Sequence, residues 1–271
     1  MTLFQCVVNC SNESAGATHR FHMPHRTVKK GLIETALVTG ASRGLGAALA
    51  RELARRGTRV VLVARGQSEL DAVVQSIREQ GGEAHGVVAD VGDKAAVYPL
   101  VGTAAELVGP IELLVNNASE LGPTPLRLLF DTDCETLERV LAVNVVGPFR
   151  LAKALGGSMA VRRRGTIVNV SSDAAIEPYA GWGAYAASKA ALDQLGRVLA
   201  VELAAHGVRV LSVDPGEMDT AMHRAALPDA EPTTLLAPEA VAARLVELLE
   251  RGEAPSGARI ALTAWGREVA S

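Results

Sequence analysis

The sequence predicts an α/β protein, with a single doubly wound domain built on a seven-stranded, mainly parallel sheet that carries helices on both faces. From residue 34 onward, seven short runs rich in β-branched residues alternate with longer stretches rich in alanine and leucine. The short runs are almost continuously apolar, which is typical of parallel strands covered on both faces. No proline- or glycine-rich linker divides the 271 residues. We therefore expect a single domain over 32–271.

The elements follow in a regular order along the chain. A helix with apolar residues at helical spacing follows the first strand and ends near Gly57. Two long helices are expected at 132–156 and 183–206, and the irregular segment 223–240 is long enough to form a lid. The predicted strands are 35–39, 59–64, 83–90, 111–117, 165–172, 208–214 and 258–263.

Composition restricts the possible partners and location. A net charge of −3 provides no general attraction to nucleic acid or to an anionic membrane. Charged residues interrupt every apolar segment before it reaches the length that a membrane span needs. Three cysteines are too few for a disulfide framework. We therefore expect a cytoplasmic protein with no nucleic-acid or membrane partner.

The first 31 residues differ from the rest of the chain. They are polar and weakly patterned, and they lack the long apolar core of a secretory signal. Their cysteines and histidines match no familiar zinc spacing. We expect residues 1–31 to be a disordered extension, and we predict no metal site.

A glycine-rich turn follows the first strand. In "TGASRGLG", Gly40, Gly44 and Gly46 open the first helix, where glycines allow a tight turn and close approach of the backbone to a pyrophosphate. The turn lacks the lysine and Ser/Thr of a P-loop, which argues against a nucleotide triphosphatase. A tight turn without a ligand is the alternative.

In "YAASK", Tyr185 and Lys189 lie four residues apart and would share one face of a helix. A cation beside a phenol favours the phenolate, so Lys189 is expected to lower the pKa of Tyr185 and make it a proton donor. The alternative is a half-buried aromatic residue next to a solvated charge.

Five motifs in order carry a family resemblance: "TGASRGLG", "NNAS" at 116–119, "VNVS" before Ser172, "YAASK", and "DPGEMDT" at 214–220. From about Thr35 to the last strand, the chain resembles the short-chain dehydrogenase/reductase family. The resemblance implies a Rossmann-type fold and a catalytic set of Asn144, Ser172, Tyr185 and Lys189. Tyr185 would exchange the proton, Ser172 would polarise the carbonyl, and Asn144 would support a water-linked proton path to the lysine.

The resemblance also implies a site for a nicotinamide dinucleotide. One departure is Ser119, where the family usually has glycine, so the local backbone either avoids positive φ or shifts the turn. The expected cofactor-binding residues are Gly40, Ser42, Arg43, Gly44, Leu45, Gly46, Arg65, Asp90, Val91, Asn117, Ala118, Tyr185, Lys189, Pro215, Gly216, Met218 and Thr220.

The end of the second strand predicts which nicotinamide cofactor is used. NAD enzymes place an acid there that binds the ribose hydroxyls, but here Ala64 takes that position and Arg65 follows. Guanidinium groups match phosphate geometry, and Arg43 supplies a second one. These residues favour NADP(H) over NAD(H), although either arginine alone is compatible with a solvated surface charge.

Together these features predict an NADP(H)-dependent oxidoreductase that transfers hydride between the nicotinamide and a ketone, an aldehyde or a secondary alcohol. The alternatives are an NAD(H)-dependent alcohol dehydrogenase of the same fold and a non-catalytic, cofactor-binding regulatory member. The small-molecule substrate is not specified, and a homo-oligomer, tetramer or dimer, is implied by the resemblance. Near the expected pocket lie Ser119, Glu120, Leu121, Asp173, Ala174, Glu177, Tyr179, Trp182, Met222 and His223.

Overall fold

The computed structural model describes residues 33–231 and 234–265. The predicted extension at 1–31 therefore lies outside the described residues. Seven strands form one sheet in the order β3-β2-β1-β4-β5-β6-β7, and every neighbouring pair is parallel. The strands are β1 (Thr35–Thr39), β2 (Arg59–Ala64), β3 (Ala84–Val88), β4 (Leu113–Asn116), β5 (Gly165–Val170), β6 (Val208–Asp214) and β7 (Arg259–Ala261).

Helices cover both faces of the sheet. On one face α1 packs against α8, and on the other α3 packs against α5. Each face has its own apolar cluster, and β1 and β4 are buried along their whole length. The helices are α1 (Gly44–Arg55), α2 (Gln67–Glu79), α3 (Lys94–Val108), α4 (Cys134–Leu141), α5 (Gly147–Arg162), α6 (Gly183–Ala204), α7 (Ala221–Ala226) and α8 (Pro238–Arg251).

The predicted doubly wound parallel fold is confirmed, but several strands end earlier than predicted. Asp90, Asn117 and Ser172 were placed within or at the end of strands, yet each lies beyond the last paired residue. These polar residues follow the carboxyl ends of the strands, where open α/β sheets bind their ligands. Because the strands end early, these polar residues take no part in the strand pairing of the sheet.

The long helix predicted at 132–156 is wrong in its continuity. It is divided into α4 and α5 by a π-helical segment, Ala142–Val146, and it extends to Arg162. A π segment inserts one residue into the helical turn and is frequent at functional sites. Here it contains Asn144.

Segment 223–240 is less irregular than predicted, since α7 occupies Ala221–Ala226 and α8 begins at Pro238.

In the part of the chain that the structure describes, the helical run Cys134–Arg162 is long and apolar enough to cross a bilayer by length and composition, but half of its most apolar window is buried in the fold. That burial is typical of a core helix.

Candidate active site

A cleft of about 610 Å³ lies at the carboxyl edge of the sheet. The turns after β1, β2, β3, β4, β5 and β6 all reach it, together with the start of α6 and the length of α7. Because all the strands run parallel, the turns that follow them lie on one edge of the sheet. Every residue expected to be catalytic lines this cleft except Asn144, and every expected cofactor residue lines it except Gly46.

The turn after β1 fits a pyrophosphate. Gly40 and Gly44 have φ angles of +64° and +54°, a region that side chains disfavour. A Cβ on Gly46 would lie 2.3 Å from the Gly40 carbonyl oxygen, so only glycine lets the helix begin so close to the strand. No side chain caps the start of α1, and its first turn contains no acidic residue. The first amides of α1 are therefore available to an anion.

Hydrogen bonds join this turn and the end of β1 to Asn117 and Ala118, which follow the neighbouring strand β4. The Asn117 side-chain amide donates to the carbonyl oxygens of Thr39 (2.9 Å) and Gly40 (3.2 Å). The Thr39 hydroxyl accepts from the backbone amides of Asn117 and Ala118, each at 3.0 Å. The glycine turn is thus fixed by residues that come more than seventy positions later in the chain.

Arginines line the end of the cleft beyond β2. The Arg43 side chain is exposed, and no hydrogen bond or ion pair joins it to any residue that the structure describes. Arg65 Nη1 lies 3.3 Å from Glu120 Oε2 and its side chain is 58% exposed. Both guanidinium groups therefore keep free donors toward the cleft.

A third arginine, Arg139 on α4, was missed by the sequence reasoning. Its Nη2 donates to Asp90 Oδ2 at 2.7 Å, and its Nε lies 3.9 Å from Glu120 Oε2. Burial acts to raise the pKa of Asp90, but the hydrogen bonds from Arg139 and the Gly92 amide hold it below its usual range. Only long-range packing brings Arg139 here, so no local motif signals it.

The segment after β6 covers the start of α1. The Gly216 amide donates to Asp214 Oδ1 at 3.0 Å, and Met218 pairs with Leu236 through a parallel bridge. The Thr220 methyl group lies 3.4 Å from where a Cβ of Gly44 would be. Pro215, Gly216, Met218 and Thr220, all expected to bind the cofactor, therefore face the glycine turn across the cleft.

The catalytic candidates meet on the wall between β5 and α6. Lys189 is completely buried, and its Nζ donates to the Val170 carbonyl oxygen at 2.7 Å and lies 5.4 Å from the centroid of the Tyr185 ring. The Ser172 hydroxyl donates to Asp173 Oδ1 at 2.8 Å. Ser171 turns the other way, and its hydroxyl donates to Asp193 Oδ2 at 2.8 Å.

The expected lowering of the tyrosine pKa is wrong. Burial raises the pKa of Tyr185 to about 12, while hydrogen bonding to Ser172 acts to lower it and the charges of Asp173 and Asp214 raise it further. Burial also lowers the pKa of Lys189 to about 8. Desolvation of the phenol is the largest cause of the shift, and the Lys189 ammonium donates to the Val170 carbonyl oxygen.

Asn144 links the cleft to α6 by four hydrogen bonds. Its Oδ1 accepts from the Glu120 amide (2.8 Å) and the Ser119 hydroxyl (3.3 Å), and its Nδ2 donates to the Glu120 carbonyl and the Ser188 hydroxyl, each at 2.9 Å. Ser188 in turn donates to the Tyr185 carbonyl at 2.6 Å. Ser188 was not predicted, although its place between Tyr185 and Lys189 is visible in the sequence.

Ser119 adopts the first of its two expected alternatives. Among the described residues, Arg163 is the only non-glycine residue with positive φ, so the backbone at Ser119 has negative φ. Its hydroxyl bonds to Asn144. Replacing the family's glycine by serine therefore adds a polar group to the cleft without backbone strain.

The substrate end of the cleft is mixed in character. The Tyr179 hydroxyl donates to Asp173 Oδ2 at 2.9 Å, and the Trp182 ring lies edge-on to Tyr185 with centroids 5.6 Å apart. Ser119, Glu120, Leu121, Asp173, Ala174, Tyr179, Trp182, Met222 and His223 line the cleft as expected, whereas Glu177 does not.

The fold and the site define an α/β protein whose glycine turn, at the carboxyl edge of a parallel sheet, fits a dinucleotide. A family model described as short chain dehydrogenase matches residues 34–231. The chain therefore belongs to the short-chain dehydrogenase/reductase family and is an NAD(P)-dependent oxidoreductase.

Relatives and solved structures agree with this family. The chain is 42% identical to the short-chain reductase protein NovJ of Streptomyces niveus, over 69% of this chain and 70% of that protein. A variant of actinorhodin polyketide ketoreductase, solved with NADPH, has a TM-score of 0.78 at 29% identity and covers 86% of this chain and 97% of its own. A xylitol dehydrogenase bound to NAD⁺ has a TM-score of 0.76 at 27% identity and covers 86% and 98%. The structural neighbours thus include complexes of both cofactors.

Proposed function

We propose that the protein is an NADP(H)-dependent oxidoreductase that transfers hydride between the nicotinamide and a ketone, an aldehyde or a secondary alcohol, with Tyr185 as general acid and base. The observation that carries this proposal is the meeting of Tyr185, Ser172 and Lys189 beside the glycine turn in one cleft. A buried tyrosine and a buried lysine are costly to desolvate, and such pairs concentrate at functional sites.

In the direction of reduction, a dinucleotide held by the glycine turn would supply the hydride for the carbonyl carbon. The chain's own residues handle the oxygen. Tyr185 Oη holds its proton at neutral pH because burial raises its pKa, so it donates that proton as charge develops on the substrate oxygen. The Ser172 hydroxyl hydrogen-bonds the same oxygen, after leaving its contact with Asp173.

The other residues position this pair and hold the cofactor. Lys189 places a positive charge beneath Tyr185 and is proposed to bind the nicotinamide ribose. Thr220 caps α7 through the His223 amide at 3.2 Å, which leaves its hydroxyl proton free for a carboxamide. Asn144 keeps the loop at Ser119 and Glu120 in register with α6.

The proposed preference for NADP(H) rests on the arginines. Ala64 provides no carboxylate at the end of β2, and Arg43 and Arg65 both line the cleft beside it. Arg65 forms an ion pair with Glu120, but its guanidinium group has five donors and its side chain remains largely exposed. Donors are therefore left for a phosphate. A 2′-phosphate would find two cations here, whereas NAD(H) would leave both without a ligand.

Arg65→Asp is expected to raise the dissociation constant for NADPH about tenfold or more, the scale of one charge-assisted hydrogen bond. It removes a phosphate partner and adds a repelling charge, so NADH binding should change much less. Fluorescence titration with both cofactors measures the difference. Lys94→Asp makes the same change of charge at an exposed position that does not line the cleft and serves as the control. Equal losses for both cofactors would show that Arg65 does not read the 2′-phosphate.

A panel of ketones, aldehydes and secondary alcohols, assayed with NADPH, NADH and their oxidised forms, tests the proposed function directly. We expect carbonyl reduction with NADPH in preference to NADH. A preference for NADH would favour the NAD(H)-dependent alternative. Cofactor binding without turnover of any compound would favour the non-catalytic alternative.

We also propose a homo-oligomer, a tetramer or a dimer, formed through the outer faces of α5 and α6. These faces expose apolar side chains, including Phe149, Val161, Val198 and Val201, the last of which is 79% exposed. Exposed apolar groups on adjacent helices favour association with a matching surface.

A cytoplasmic location stays a prediction.

Light scattering at micromolar concentration is expected to give the mass of a dimer or tetramer, and Val201→Lys to shift it toward the monomer, because a charge would be buried at the contact. Tyr98→Lys, on the exposed side of α3, is the control and should keep the parent mass. A monomeric parent protein would contradict the proposed assembly.

A further inference from the structure

Three consecutive residues that end at the proposed catalytic serine are each held by a charged side chain. The Val170 carbonyl accepts from Lys189 Nζ at 2.7 Å. The Ser171 hydroxyl donates to Asp193 Oδ2 at 2.8 Å. The Ser172 carbonyl accepts from Arg259 Nη2 at 2.7 Å. The end of β5 is therefore fixed from α6 and from β7.

Arg259 and Asp193 form a buried ion pair behind this strand end. Arg259 Nε lies 3.1 Å from Asp193 Oδ2, and its Nη2 lies 3.1 Å from Asp214 Oδ2. The Asp193 side chain is only 4% exposed. Its second oxygen, Oδ1, is buried and has no hydrogen-bond partner among the residues that the structure describes. Asp193 lies one helical turn after Lys189 on α6. The negative charge of the Asp193 carboxylate can therefore act on the lysine.

We propose that Asp193 and Arg259 are positioning residues for the reaction, in which Asp193 keeps Lys189 charged and Arg259 fixes the backbone of Ser172. The proposal rests on the proposed function of Ser172, Tyr185 and Lys189 and extends it to residues that do not touch the reacting atoms. It assigns a role to β7, a strand of three residues that brings Arg259 into contact with the Ser172 carbonyl.

The charged and titratable groups around this cluster come from several elements. Tyr185, Lys189 and Asp193 lie on α6, Asp214 ends β6, Arg259 lies on β7 and Asp173 follows β5. Burial lowers the pKa of Lys189 to about 8, and the charge of Asp193 acts to raise it. Without that carboxylate the lysine would lose its proton at lower pH.

The test is the pH profile of kcat/KM for reduction by the full-length enzyme with NADPH and its best carbonyl substrate. Activity of the parent should fall as pH rises through the pKa of Lys189. Asp193→Asn keeps the shape but removes the charge, so this alkaline limb should move by about one unit to lower pH. Arg259→Met removes the neighbouring cation, so the limb should move to higher pH, and kcat should fall roughly tenfold as Ser172 loses its anchor.

Opposite shifts distinguish positioning from mere destabilisation, which has no reason to move the limb in two directions. Glu52→Gln removes a carboxylate from an arginine cluster on α1, outside the cleft, and should keep the parent profile. A limb that stays in place in both variants would overturn the proposal. If Asp193→Asn does not fold, an unmoved limb in Arg259→Met overturns it alone. Failure of the proposed function is seen separately, as Tyr185→Phe retaining the parent rate.

Discussion

Tyr185→Phe is expected to lower the turnover rate by about 10²-fold or more, the usual scale of general acid catalysis, with NADPH affinity nearly unchanged. The substitution keeps the ring and its edge-on contact with Trp182, and it removes only the hydroxyl. In the proposed mechanism, the proton of that hydroxyl is the one that passes to the substrate oxygen. Steady-state rates with the best carbonyl substrate, together with cofactor titration, measure both quantities.

A matched control is Tyr98→Phe, which makes the same change on α3, where the ring is 59% exposed and does not line the cleft. It should retain the parent rate. If the folded, cofactor-bound Tyr185→Phe enzyme reduced its substrate at the parent rate, the proposed mechanism would be wrong. The raised pKa of Tyr185 makes this test sharp, because the parent tyrosine is fully protonated at neutral pH.

Lys189→Ala is expected to damage both turnover and cofactor binding. Lys189 is completely buried, and its ammonium is held at the Val170 carbonyl beneath Tyr185. Its loss removes the positive charge beneath the Tyr185 ring and, with it, the proposed contact with the nicotinamide ribose. We expect a fall in kcat of about 10²-fold or more and weaker binding of NADPH and NADH alike, measured by kinetics and titration.

Because alanine leaves a cavity, Lys189→Met provides a second variant that keeps most of the volume and lacks the charge. Lys189→Met should lower kcat and weaken cofactor binding to the same extent as Lys189→Ala. Lys94→Ala, on the surface, is the control. Since burial lowers the pKa of Lys189 to about 8, the parent should also lose reductive activity as pH rises through that value, and the methionine variant should lack this dependence. A methionine variant with parental turnover and cofactor affinity would remove Lys189 from the mechanism.

Most of the fold could be predicted from the sequence, because its signals are local. Apolar strands that alternate with amphipathic helices define the sheet, and the turn at Gly40 to Gly46 stands between a strand and a helix. The positions of Ser172, Tyr185 and Lys189 followed from family spacing, and the structure places all three in one cleft. Their roles stay predictions.

What could not be predicted depends on distant contacts. Arg139 reaches Asp90 across 49 residues and Arg259 reaches Ser172 across 87, and neither belongs to a motif. The π segment around Asn144 has the apolar pattern of an ordinary helix, so periodicity did not separate it. The direction of the Tyr185 pKa shift was wrong because spacing gives the neighbouring charge but not the degree of burial.

The strand order also sets when the site can form during synthesis. β1 lies between β2 and β4, so Ala36 must wait for Leu113 before the ladder with β4 can form. The glycine turn is held by Asn117 and Ala118, and the serine end of β5 by Arg259. Pairings over such long sequence separations are slow to form. A nascent chain therefore carries its glycine turn without this support until β4 and the residues after it are made, and Ser172 gains its contact with Arg259 only after β7 is made.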